Sequence, residues 1–230
     1  VECARSNTDI WGKRYSAMII SAPDSADLLQ AASWSVTDSL PYDSTYLDGK
    51  FGAWLEGNAV VTPDGNVADL LRVDYAPGPE YAALIRLRDS VSFDPFDPEK
   101  DFVRMPGGAK KFTVRYDSLS GRYWSLVNYV TQEWAGKQNP AWVRNTLALS
   151  SSPNLQEWTV HRTVLHHPDI AKHGFQYADW LFDGNDIVLL SRTAYDDNGT
   201  GAHNCHDANY MTFHRIKDFR KALTEQAGNR

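Results

Sequence analysis

Three carboxyls and three arginines stand out along this 230-residue chain. Glu56, Asp74 and Asp179 have the chemistry of paired acids. Cleaving a glycosidic bond needs one carboxyl to protonate the leaving oxygen and another to activate water or attack the anomeric carbon. Arg72, Arg144 and Arg192 offer planar forks that suit a carboxylate. Gln176, Tyr177, Tyr195 and Lys110 add donors and aromatic faces, and His203 and His206 sit in a loop nearby in sequence. Acid, base and aromatic groups gathered together are the composition of a polar ligand site. The run His203-Asn204-Cys205-His206-Asp207 has metal-ligand residue types, but its spacing fits no closed structural zinc pattern. Neither a metal nor a cofactor is expected.

Repeated hairpins must position these groups. Residues 174–195 read as two β-runs around Asp183-Gly184-Asn185, a strong hairpin signal. The pattern recurs around Pro63-Asp64-Gly65-Asn66 and around Asp117-Ser118-Leu119-Ser120-Gly121. The turn glycines lie 56 and 63 residues apart. That spacing is near the period of four-stranded propeller blades, about 40–50 residues in common repeats and more with insertions. The chain reads as all-β, a single β-propeller domain over 1–230 of four-stranded antiparallel blades. About three and a half blades are expected, incomplete at the N-terminus. In a blade the first strand runs nearest the axis, so the ends opposite the glycine turns share one rim. Glu56, Arg72 and Asp74 reach it from the first copy, and Lys110 and the 131–145 loop with Arg144 from the second. Gln176, Tyr177, Asp179, Arg192, Tyr195 and the 196–208 loop reach it from the third. Alternation along the strand puts Tyr177 and Asp179 on one side. Residues 38–55 read as loop, Lys110–Tyr116 as strand, and 218–223 as a short helix.

Eight Trp, eleven Tyr and nine Phe suit strands, packing between sheets and sugar clefts. A net charge of −6 with no basic cluster argues against a nucleic-acid surface. No apolar run approaches a membrane span. Cys3 and Cys205 could pair, which spacing leaves open. Asn198-Gly199-Thr200 fits a glycosylation sequon.

Ser152-Pro153-Asn154-Leu155-Gln156-Glu157-Trp158 resembles the Ser-x-Asp-Leu-x-x-Trp turn of β-propeller glycosidases and, more loosely, the Asp-box of sialidases. Ser25-Ala26-Asp27-Leu28 with Trp34 is a looser copy with a wider gap to the Trp. The repeat from about 14 to 216 looks like the sialidase-like propeller superfamily. The Asp-box glycine and threonine are absent. The resemblance implies an exo-acting, sialidase-like glycoside hydrolase with its pocket on the axis. It further implies action on terminal sugars of glycans or polysaccharides, a secreted or periplasmic location and a monomer. It implies Tyr177 or Tyr195 as nucleophile, Glu56 as its partner, and Arg72, Arg144 and Arg192 as a clamp. The catalytic set expected is Glu56, Asp179 and Tyr177. The alternatives are a non-catalytic carbohydrate-binding propeller and a polysaccharide lyase using His with Tyr or Arg.

Overall fold

The computed structural model describes residues 11–75, 80–197 and 201–225. Thirteen strands form four antiparallel sheets among the described residues. β1 (Ile20–Ser21) pairs with β2 (Ser35–Val36). The next sheet holds β3 (Phe51–Val61), β4 (Val67–Tyr75), β5 (Tyr81–Arg86) and β6 (Phe102–Arg104), in that order. The third holds β7 (Thr113–Asp117), β8 (Arg122–Asn128), β9 (Thr146–Ser152) and β10 (Thr159–His166). The last holds β11 (Gly174–Asp183), β12 (Asp186–Ala194) and β13 (Tyr210–Ile216). Each sheet runs in sequence order, the up-and-down meander of a propeller blade. Two blades are complete, one has three strands, and β1–β2 supply part of another.

The turn glycines explain the meander. Gly65, Gly121 and Gly184 all have positive φ, and nothing crowds them. Glycine adopts that backbone without a steric penalty, and the tight two-strand turns require it. Blades then stack through apolar faces. Leu70, Leu84 and Met105 meet Phe112, Val114 and Val127 between the second and third sheets. Trp124 and Leu149 meet Trp180, Leu189 and Phe219 between the third and fourth.

The Ser152–Trp158 turn works as its residue types imply. Asn154 Oδ1 accepts from the backbone N–H of Gln156 and Glu157 at 3.0 and 2.9 Å, and Trp158 Nε1 donates to the Leu155 carbonyl at 2.9 Å. The looser copy closes in the same way. Asp27 Oδ1 accepts from Leu29 N, and Trp34 Nε1 donates to the Leu28 carbonyl at 3.1 Å. Both turns join neighbouring strands of a sheet, β9 to β10 and β1 to β2. This identifies β1–β2 as the outer half of a blade.

Two boundaries differ from the sequence reading. β3 begins at Phe51, inside the stretch read as loop, because Phe51 and Trp54 pack into the core with Phe102. β7 begins at Thr113, so Lys110 lies in the turn before it. The C-terminal helix is present, as a 3-10 turn over Phe219–Lys221 that runs into Ala222–Glu225. Among the described residues no helix is long and apolar enough to cross a membrane. Cys3 and the 198–200 sequon lie outside the described residues. The buried Cys205 thiol donates to the Trp142 carbonyl at 3.4 Å.

Candidate active site

The inner strands β3, β7 and β11 lie side by side. Asn58 exchanges two hydrogen bonds with the backbone of Val114, and Thr113 Oγ1 donates to the Ala178 carbonyl. A cleft of about 450 Å³ opens among them, lined by residues that include Asn58, Lys111, Thr113, Tyr177 and Asp179. A larger cleft, about 560 Å³, lies at the opposite end between the turn at Thr62–Asn66 and the turn at Asn154. It is a groove between turns, and the arginines and tyrosines discussed below do not line it.

Two β-bulges aim the key side chains. In β3, Trp54 pairs with Val73 and Gly57 with Leu71, so Leu55 and Glu56 together oppose Arg72. In β11, Gln176 pairs with Arg192 and Asp179 with Leu190, so Tyr177 and Ala178 together oppose Ser191. Tyr177 has φ of 50°, a left-handed backbone uncommon for a bulky residue. Such strain collects at functional sites, and bulges re-aim side chains there.

The result is a linked cluster. Tyr177 Oη donates to Glu56 Oε1 at 3.3 Å, across 121 residues of sequence. Arg72 Nη1 holds the other carboxylate oxygen at 3.1 Å, while its Nε donates to the Ala109 carbonyl. The Arg192 guanidinium lies 5.2 Å from the centre of the Tyr177 ring and donates to the His206 carbonyl at 2.7 Å. Buried Arg144 donates to Gln176 Oε1 at 2.8 Å, and Gln176 Nε2 donates in turn to the carbonyls of Cys205 and His206.

Electrostatics separate the roles. Burial pushes the Glu56 carboxyl up. Its own backbone N–H, Arg72 and Tyr177 together outweigh that and hold it below the usual carboxylate range. Burial, with Arg72 and Arg192 close by, depresses the Arg144 guanidinium to about 10, and the Tyr177 hydroxyl acts in the opposite direction. Among the described residues no carboxylate ion-pairs with Arg144 or Arg192. Among the described residues the pair with Glu56 is the one ion pair these three guanidiniums make, and the imbalance suits an anion.

The other expected residues are placed as follows. Lys110 is wholly buried in an ion pair with Glu80, so it cannot touch a ligand. It lies within the field of Arg72 and Arg144, and burial lowers its ammonium's pKa. Asp179 lines the cleft with Tyr177, but its exposed carboxylate accepts from Arg115 at 3.3 Å. The bulge at Tyr177–Ala178 breaks the alternation that would have aimed both alike. Asp74 is half-buried, with its carboxyl raised by burial against the opposing pull of Arg72. Tyr195 packs edge-on against His167 and His173 instead of joining Tyr177. The His206 ring stands 6.4 Å from that of Tyr177, whereas His203 is exposed.

Asp69 was not singled out by sequence, where it reads as one polar residue in an apolar strand. It is buried, Oδ1 has no hydrogen-bond partner, and it fills the space left by the absent Cβ of Gly57. Burial raises it to about 6, against the pull of Lys111. The unfolded carboxyl releases its proton near pH 4, while the folded one keeps it to about 6. Stability therefore falls as pH rises through that window. Asp69→Asn is expected to flatten the slope in urea unfolding between pH 4 and 7. An unchanged slope would mean that Asp69 is not its source.

No family model and no curated protein matches this sequence. Solved structures do. A structure described as a glycoside hydrolase aligns with a TM-score of 0.51 at 13% identity, covering 84% of this chain and 60% of that one. The α-L-arabinanase of Penicillium chrysogenum complexed with arabinobiose gives 0.46 at 11%, covering 76% and 48%. The leech intramolecular trans-sialidase gives 0.47 at 14%, covering 85% and 27%. This chain thus spans between 27% and 60% of these proteins' lengths. At such identities the similarity is one of backbone, and it matches the propeller arrangement of the sheets.

Proposed function

We propose that this chain carries the nucleophile and the anion clamp of a sialidase-like glycoside hydrolase acting on a terminal, carboxylate-bearing sugar. The observation behind this reading is the Tyr177–Glu56 hydrogen bond set among Arg72, Arg144 and Arg192. A tyrosine hydroxyl is a weak nucleophile until a base takes its proton. Glu56, held ionised, is that base. Tyr177 Oη attacks the anomeric carbon while its proton passes to Glu56, and the bond to the leaving oxygen breaks. With an aryl glycoside the oxygen leaves as the phenolate and takes its proton from water, while Glu56 holds the proton from Tyr177. Water then releases the sugar from Tyr177, with net retention. Arg144 has no carboxylate partner among the described residues, and its buried guanidinium supplies positive charge behind partly exposed Arg192, which would receive the sugar carboxylate. The similarly folded structure described as a glycoside hydrolase supports the general class.

Assays on aryl glycosides test the reading. The full-length protein should hydrolyse an aryl glycoside of a carboxylate-bearing sugar in preference to neutral arabinosyl or fructosyl ones. Arg144→Ala should raise KM for the anionic substrate at least tenfold. Binding of the sugar acid without turnover would instead indicate a carbohydrate-binding propeller, and indifference to the sugar's charge would remove the clamp.

A further inference from the structure

The geometry points to a divalent-metal site of the zinc class on the loop that enters β11, built from His167, Asp169 and His173. It stands independently of the glycosidase reading. One ring nitrogen of each histidine and a carboxylate oxygen of Asp169 lie within 4.8 Å of one another. Donors around a four-coordinate zinc ion stand about 3.3–3.5 Å apart, so binding asks the widest separations to close and the 2.7 Å pair of His173 Nδ1 and Asp169 Oδ2 to open. His173 is buried at 3% side-chain exposure, whereas Asp169 is 40% exposed and leaves a way in.

The surroundings hold the donors in place. Asp169 accepts from the backbone N–H of Ala171 and Lys172 at 2.9 and 3.0 Å. The Ala171 carbonyl accepts from Cys205 N at 2.7 Å, which ties this loop to the 201–207 segment. The two imidazoles stack with centroids 3.4 Å and planes 16° apart, so one ring must tilt for both lone pairs to reach a single ion, and the Tyr195 ring stands edge-on to both at 5.6 and 4.8 Å.

Without an ion, His173 Nδ1 bonds to Asp169 Oδ2 at 2.7 Å, and His173 Nε2 accepts weakly from Asp196 N at 3.3 Å. His167 Nδ1 accepts from Asp169 N at 3.1 Å. An ion between His173 Nδ1 and Asp169 Oδ2 takes the place of the Nδ1 proton. The ring then keeps its one proton on Nε2, which gives up the weak bond from Asp196 N and donates instead to Asp196 Oδ2, 3.5 Å away. Metal-bound histidines commonly donate their other N–H to a carboxylate in this way. Asp169 and Asp196 together balance the charge of a divalent ion. Two imidazoles with one carboxylate favour zinc over magnesium or calcium, which prefer oxygen donors. The bound ion would fix Tyr195 and the segment whose His206 carbonyl holds Arg192.

Titrating Zn²⁺ into the full-length protein by calorimetry tests this. Saturable binding of one ion per chain is expected, with none for Mg²⁺. His173→Ala and Asp169→Ala should each weaken it at least tenfold, Asp196→Asn should weaken it by about tenfold, and His206→Ala should leave it unchanged. Should His173→Ala lose its folded circular-dichroism signal, the half-buried His167→Ala carries the same comparison. No saturable Zn²⁺ binding, or binding unaltered in His167→Ala, overturns the proposal.

Discussion

On the proposed mechanism, Tyr177→Phe is expected to lower kcat/KM on an activated aryl glycoside by about 10³-fold or more, a loss of roughly 4 kcal/mol in transition-state stabilisation. The substitution removes one oxygen atom. The ring stays, so Arg192 keeps an aromatic face and the bulge keeps its bulk. What disappears is the group that bonds to Glu56. KM should move little, because the clamp arginines are untouched. Glu56→Gln tests the other half of the pair. It removes the base while remaining able to accept from the tyrosine hydroxyl, and a fall of about 10²–10⁴ in kcat is expected. It also leaves Arg72 without its anionic partner, so KM for an anionic sugar should fall slightly. Full activity in Tyr177→Phe would exclude the tyrosine as nucleophile and return attention to the carboxyls.

Lys110→Met destabilises the protein by about 3–5 kcal/mol, because the Glu80 carboxylate is left buried without its cation. The lysine is fully buried and the Glu80 side chain only 10% exposed. In a protein of this size the loss corresponds to a fall in Tm of roughly 6–20 °C. Glu80 Oε2 also accepts from Gly107 N at 2.9 Å, so deleting the acid outright would orphan a backbone donor. The double variant Lys110→Met/Glu80→Gln keeps that acceptor and removes the charge. It should recover most of the loss in thermal unfolding. Equal destabilisation of the single and double variants would show that Lys110 matters through packing instead of charge.

The blade order could be read from the chain because each hairpin announces itself locally. Gly65, Gly121 and Gly184 sit where only a positive φ serves, and the Ser152–Trp158 turn carries its own hydrogen-bonding logic. The grouping of Glu56, Tyr177 and Arg72 followed from where strand ends meet. The bulges did not follow. An extra residue in a strand leaves no mark in a pattern of alternating side chains, so Tyr177 and Asp179 looked equivalent although only Tyr177 meets Glu56. Lys110 was misplaced for a related reason. A basic residue opening an alternating run reads as a strand end at the rim, and only the tertiary fold reveals that Glu80 lies opposite it. Asp69 gave no signal, because its burial depends on the missing side chain of Gly57 across the sheet.

The hydrogen bond between Tyr177 and Glu56 joins residues 121 positions apart, while each hairpin closes over a turn of a few residues. Contacts between near neighbours form quickly, and those that close long loops must wait until intervening structure has paid their entropy. During refolding the hairpins should therefore appear first and the tyrosine–glutamate pair only once three sheets have docked. Recovery of the proposed activity then becomes a clock for the last stage of assembly, lagging the far-ultraviolet signal of the strands.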